Sequence, residues 1–204
     1  MIIKVCGMRD AENIRQVEKL GVDWIGFIFY PPSARFVGDA PAYIPSRAKK
    51  VGVFVDEPLS GIKDKIEKFQ LDALQLHGNE TPEFCDELGG IGVKIIKAFP
   101  IPPGGFPAVQ VLRYEGKCDY FLFDTQTAGY GGSGKKFNWD SLSAYRGDTS
   151  FLLSGGISPS DTEEILAFSH PRFAGIDINS GFEDAPAQKN IPSVQTFIEK
   201  IKKI

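Results

Sequence analysis

A chain of 204 residues, 42% of them hydrophobic and 24% charged, suffices for one compact domain with a sizeable core. Its formal net charge of -3 gives no basic stripe for nucleic acid, and no apolar run approaches the ~20 residues of a membrane helix. Three cysteines at irregular spacing, Cys6, Cys85 and Cys118, make neither a disulfide framework nor a zinc site, so a reducing cytoplasm is the expected setting.

The first residues lack a basic segment followed by a long apolar stretch, so they read as a strand and not as a signal peptide. Further β-branched and aromatic runs follow, giving eight predicted strands at residues 2–5, 24–29, 51–55, 73–76, 93–98, 120–123, 151–153 and 174–178. They are almost continuously apolar, as in a parallel sheet buried on both faces. Between them the period changes to that of a helix: Ile14, Val17 and Leu20 share a face, as do Ile62, Ile66 and Phe69, and Val194, Phe197, Ile198 and Ile201. Thr81-Pro82 and Ser158-Pro159 mark helix starts, the second with Asp161 in capping-box position, and Gly21 and Gly89 mark helix ends. Lys200, Lys202 and Lys203 alternate with Ile201 and Ile204 as the solvated face of a last helix.

Strand starts recur every ~20 to 30 residues, the length of one β-loop-α unit. Eight units predict an α/β fold, a single (β/α)8 (TIM) barrel of parallel strands over residues 1–204, with an open doubly wound sheet as the alternative. The long loops 31–48 and 125–138 are expected to be functional.

The distinctive polar residues fall at C-terminal strand ends, the face on which barrels carry their chemistry. Cys6-Gly7 closes the first strand, His77-Gly78 the fourth and Asp124-Thr125 the sixth; Gly155-Gly156 follows the seventh, Asn179-Ser180-Gly181 the eighth, and Arg35 lies after the second. The glycines after strands seven and eight let backbone N–H groups approach an anion, so Gly155, Gly156, Ser180 and Gly181 form a candidate phosphate grip, against a reading as two tight turns. Cys6 is a candidate proton-abstracting base or plain core. Asp124 follows an apolar strand, whose wall would help its carboxyl keep a proton to donate; the alternative is a cap. His77 binds substrate or satisfies a loop carbonyl, while His170 is expected at the surface. Arg35 offers a fork for a carboxylate or phosphate, or is solvated. The glycine-rich stretch 129–136 lacks P-loop spacing and reads as a lid over the rim.

Taken together these segments resemble the phosphoribosylanthranilate isomerase family of tryptophan biosynthesis along nearly the whole chain. The resemblance rests on Lys4-Val5-Cys6-Gly7, Gly26-Phe27-Ile28-Phe29 with Ser33 and Arg35, Val51-Gly52-Val53-Phe54-Val55-Asp56 and Leu74-Gln75-Leu76-His77-Gly78. It continues through Phe123-Asp124-Thr125, Gly131-Gly132-Ser133-Gly134 with Phe137 and Trp139, Leu153-Ser154-Gly155-Gly156-Ile157 and Gly175-Ile176-Asp177-Ile178-Asn179-Ser180-Gly181. It implies an Amadori rearrangement of a phosphorylated small molecule with Cys6 as general base, Asp124 as general acid and Arg35 on the anthranilate carboxylate. His77 and Asp177 complete the substrate-binding set, and neither a metal nor a redox cofactor is expected. Departures from the family pattern are Asn138 and Asn190, each in place of a common aspartate, Ser133 for threonine, and one extra residue before Arg35. A related sugar-phosphate barrel (a dual-substrate isomerase also serving histidine biosynthesis, or an epimerase) and a non-catalytic phosphate sensor are the competing readings. A monomer is expected rather than a homodimer.

Overall fold

Eight parallel strands pair in strict chain order and the eighth returns to the first. In the computed structural model, which describes residues 1–126 and 136–202, they are β1 (Ile2–Val5), β2 (Trp24–Ile28), β3 (Lys49–Phe54), β4 (Ala73–Leu76), β5 (Lys94–Ile101), β6 (Tyr120–Thr125), β7 (Ser150–Leu153) and β8 (Phe173–Ile178). The sheet is a closed barrel, with β8 paired to β1 from Ile2↔Gly175 to Val5↔Ile178. Closure rules out the open doubly wound sheet. Among the described residues six α-helices accompany it: α1 (Ala11–Lys19), α2 (Leu59–Phe69), α3 (Pro82–Gly89), α4 (Ala108–Leu112), α5 (Thr162–Ala167) and α6 (Ile191–Lys202). No helix among the described residues is long and apolar enough to cross a membrane.

The predicted helix faces meet the outside of the sheet. Ile14, Val17, Ile62, Phe69, Val194, Phe197, Ile198 and Ile201 are all buried there. The capping signals form as expected: Thr81 accepts from the Phe84 N–H at 3.3 Å, Ser158 and Asp161 make a reciprocal box, and Gly21 takes φ +76° just past α1. Two expectations change. His170 is half-buried, its ring stacked on Tyr145 at 5.8 Å and its Nδ1 accepting from the Arg172 N–H. After β6 the described chain makes only a 3-10 turn, Trp139–Ala144, where a full helix would complete the unit.

No helix joins β2 to β3, because Pro31, Pro32, Pro41 and Pro45 interrupt any helical hydrogen-bond run. Glu18 of α1 fixes this segment instead. Its buried Oε1 accepts the N–H groups of Ser46, Arg47 and Ala48 at 2.8, 2.7 and 3.0 Å, and Tyr43 donates its hydroxyl to Oε2. Burial works against the charge, but the Tyr43 hydroxyl and the three N–H groups outweigh it and hold the carboxyl below its ordinary range. A depressed folded-state pKa stabilises above the unfolded value, and this contribution is lost as pH falls through the folded one. Glu18→Ala, which leaves these donors unpaired, should cost about 2–4 kcal/mol in urea unfolding at neutral pH and flatten the acid limb of stability. A loss below ~0.5 kcal/mol would show the loop to be anchored elsewhere.

Inside the barrel, side chains two residues apart on each strand share the inner face. The lower interior is apolar, built from Trp24, Val51, Ala73, Ile96, Ala98, Leu122 and Leu152. One step toward the C-terminal ends it becomes polar, with Lys4, Gln75, Ser154 and Asp177 all buried. The same periodicity then lifts Cys6 above Lys4, His77 above Gln75, Asp124 above Leu122 and Asn179 above Asp177.

Candidate active site

That periodicity opens onto a cavity lined by Cys6 and Arg35, by His77 and Asp124, by Ser154 to Ile157, and by Asp177, Asn179 and Ser180, with Ile28, Val53 and Val55 supplying apolar wall. All the predicted site residues except Gly181 line it. Gly181 lies just behind: a Cβ there would collide with the Ile157 carbonyl oxygen, so its bareness is what lets the loops after β7 and β8 meet. Residues 129–135 of the predicted lid, with Ser133, lie outside the described residues.

Cys6 is 4% exposed and follows directly on β1. Beneath it Lys4, wholly buried, donates from Nζ to Asp177 Oδ1 at 2.8 Å. Asp177 was expected to bind substrate; one of its oxygens is committed to Lys4, and the other lies 3.5 Å from the Ser154 hydroxyl. Burial pushes the Cys6 thiol above its ordinary range, and the Lys4 ammonium pulls it back part of the way. Burial likewise pushes the Asp177 carboxyl up against the pull of Lys4.

Asp124 follows the apolar run Tyr120–Phe123; its side chain is 26% exposed and faces His77, Oδ2 to Nε2 being 3.4 Å. Its Oδ1 accepts the Thr125 N–H at 2.7 Å. Behind the imidazole, the Gln75 side-chain amide lies 2.8 Å from Nδ1, so Nε2 is the ring nitrogen that faces the carboxylate. His77 thus supports Asp124, and the alternative of a loop-carbonyl partner is not what the geometry shows.

Arg35 is held, not solvated. Its Nε donates to both oxygens of Glu183 at 3.0 Å and its Nη2 to Oε2 at 2.6 Å, bonds that do not engage Nη1, and the residue lines the cavity. The side chain crosses Gly7, where φ is +72° and a Cβ would lie 2.6 Å from Arg35 Cδ. Glu183 belongs to a small antiparallel pair absent from the sequence reading, β9 (Glu183–Ala185) and β10 (Gln188–Lys189). Buried Lys189 pairs with Glu183 and donates to Asn179 Oδ1 at 2.8 Å. Burial works against the Glu183 charge, but Arg35 and Lys189 outweigh it and hold the carboxyl low.

The loop after β7 carries Gly155 and Gly156 at φ +82° and +69°, conformations that glycine adopts without strain. A Cβ on Gly155 would lie 2.6 Å from Asp124 Oδ1 and run into Thr125. The bare backbone therefore turns toward the cavity while seating the carboxyl beside it. The family model of N-(5'phosphoribosyl)anthranilate (PRA) isomerase matches residues 3–200 of the chain. The chain belongs to this family. It is 54% identical to the N-(5'-phosphoribosyl)anthranilate isomerase of Phocaeicola vulgatus over 202 residues, 99% of this chain and 98% of that one. Among solved structures it superposes on phosphoribosyl anthranilate isomerase from Thermotoga maritima with a TM-score of 0.85 at 32% identity, each chain fully covered. It also superposes, at 0.81 and 28% identity with full coverage of both chains, on a phosphoribosyl anthranilate isomerase in complex with reduced 1-(o-carboxyphenylamino)-1-deoxyribulose 5-phosphate. Membership accounts for the barrel, and Asn138 and Asn190 fall outside the cavity lining.

Proposed function

We propose that the chain converts N-(5-phosphoribosyl)anthranilate to 1-(2-carboxyphenylamino)-1-deoxyribulose 5-phosphate, an Amadori rearrangement of tryptophan biosynthesis. The observation that carries the reading is that a thiol just past β1 and a carboxyl on β6 open onto one cavity that also holds the glycine loops and Arg35. Asp124 gives its proton to the furanose ring oxygen. The C1′–O bond breaks as the nitrogen lone pair forms an iminium at C1′. The Cys6 thiolate then takes the C2′ proton, the freed electron pair closes a C1′=C2′ bond as the C1′=N π pair returns to nitrogen, and the enolamine tautomerises to the 2′-ketone. Hydrogen moves within the substrate and no electrons are exchanged with another molecule, so the chemistry calls for neither metal nor redox cofactor.

Backbone N–H groups of Gly155, Gly156 and Ser180, with Gly181 allowing the close packing, are the proposed phosphate grip. Nη1 of Arg35 is the proposed partner of the anthranilate carboxylate. His77 meets substrate from beside Asp124, and Asp177 offers it only the oxygen that Lys4 leaves. The working unit is taken as the single chain, since every group named comes from it, in a reducing cytoplasm that keeps Cys6 a thiol.

Purified protein added to freshly made phosphoribosylanthranilate should quench the substrate's anthranilate fluorescence, and absence of turnover overturns the proposal. The glycines separate two roles. Gly155→Ala, which displaces Asp124, should lower kcat roughly 10- to 100-fold. Gly156→Val should instead raise KM, because it blocks backbone approach to the phosphate. If both variants changed KM alone, steady-state kinetics would remove Gly155 from the seating of the acid.

A further inference from the structure

A fully buried lysine needs a reason. An apolar side chain of similar volume would fill the barrel interior without desolvating an ion pair, often at no loss of stability. Lys4 nevertheless sends its ammonium up the inner face to Asp177 at 2.8 Å, from a strand 173 residues away in the chain. The space it reaches belongs to Cys6 as well. β1 lies against β2 in the register Lys4↔Trp24 and Val5↔Ile25, which brings Gly26 beside both side chains. A Cβ on Gly26 would stand 2.8 Å from Cys6 Sγ and 3.2 Å from Lys4 Nζ. Sulfur and ammonium thus share the hollow that the missing Cβ leaves, with the ammonium anchored on Asp177.

We propose that Lys4 is the positioning residue that makes Cys6 a usable base: its ammonium donates to the thiolate, and Asp177 holds the ammonium charged and aimed. This rests on the reading of Cys6 as the base. The charged groups that act most strongly on Cys6 are Lys4 from β1, Asp177 from β8 and Lys189 from β10; Arg35 crosses the neighbouring Gly7, and His77 and Asp124 face Asp177 across the rim. Gly26 on β2 brings no charge. Lys4, already protonated, does not itself take the C2′ proton. Burial opposes its charge, but Asp177 and Cys6 more than offset this and hold its pKa above the ordinary lysine range.

The test is the rate of Cys6 alkylation by iodoacetamide against pH, followed by peptide mass spectrometry to separate it from Cys85 and Cys118. In Lys4→Met the profile should move to higher pH and the neutral-pH rate fall at least ~10-fold, the effect of removing a neighbouring opposite charge. Asp177→Asn should move it the other way, since Lys4 then turns wholly to the thiolate. The double variant Lys4→Met/Asp177→Asn leaves no lone buried charge and should follow Lys4→Met, which keeps the test open if the single variant fails to fold. In Lys4→Met the acid limb of kcat should move with the alkylation profile while KM stays unchanged, and Lys4→Arg should recover part of the shift. A wild-type alkylation profile in the double variant overturns the proposal, as does a parallel shift of Lys4→Met and Asp177→Asn, which a packing role alone would give. The base assignment fails separately, if Cys6→Ala keeps normal turnover while the thiol shifts stand.

Discussion

Asp124→Asn should lower kcat by about 10²–10⁴ while leaving KM within a few-fold of wild type. Asparagine has the shape of aspartate and can keep the Thr125 N–H as donor to its oxygen, so substrate binding has little reason to change. What it cannot do is release a proton to the ring oxygen at the moment the C1′–O bond breaks. Loss confined to kcat marks an interaction made only in the transition state. His77 is the group that could replace it, since its Nε2 stands 3.4 Å from the same carboxylate. The paired variant His77→Gln decides between them. With Asp124 as the acid, His77→Gln should lose far less than Asp124→Asn, because it removes a supporting contact and not the proton donor. If Asp124→Asn turned over normally and His77→Gln did not, the imidazole would be the acid and Asp124 its orienting partner.

The barrel was legible because strands buried on both faces must be apolar on both, and eight such runs at one spacing leave few folds open. The rim residues were legible for a related reason: Cys6, His77 and Asp124 interrupt or end apolar strands at one end. Lys4 and Gln75 carried a usable signal that was passed over. A polar residue inside a strand apolar on both faces must find a partner in the core, so Ile3-Lys4-Val5 and Leu74-Gln75-Leu76 each announce a buried polar contact. Glu183 carried none. Its partner Arg35 is 148 residues distant, and β9 and β10 have no apolar alternation to mark them. The missing helix after β2 was written in four prolines, but Glu18, which takes over the anchoring, looks on α1 like any solvent-facing carboxylate.

Cys6→Ala should cost kcat as much as Asp124→Asn does, again with little change in KM, because it removes the group proposed to take the C2′ proton. Cys6→Ser is the more informative variant. A serine hydroxyl occupies nearly the same place beside Lys4 and Gly26, but is too weak an acid to supply an anion near neutral pH, so geometry is kept and basicity lost. Proton abstraction should then limit turnover, and substrate carrying deuterium at C2′ should react several-fold more slowly than the protiated form in Cys6→Ser. An isotope effect no larger than in the wild type would mean that some other group takes this proton. The pH dependence follows with its sign. A base works deprotonated, and burial raises the Cys6 pKa above the ordinary thiol range with Lys4 only partly offsetting it. Activity should therefore climb as pH rises toward and beyond the ordinary thiol range, the opposite of what a raised-pKa acid would give. The site does not maximise thiolate; it keeps the thiol buried beside one ammonium, so that the anion forms where its counter-charge is already placed and no water must be rearranged.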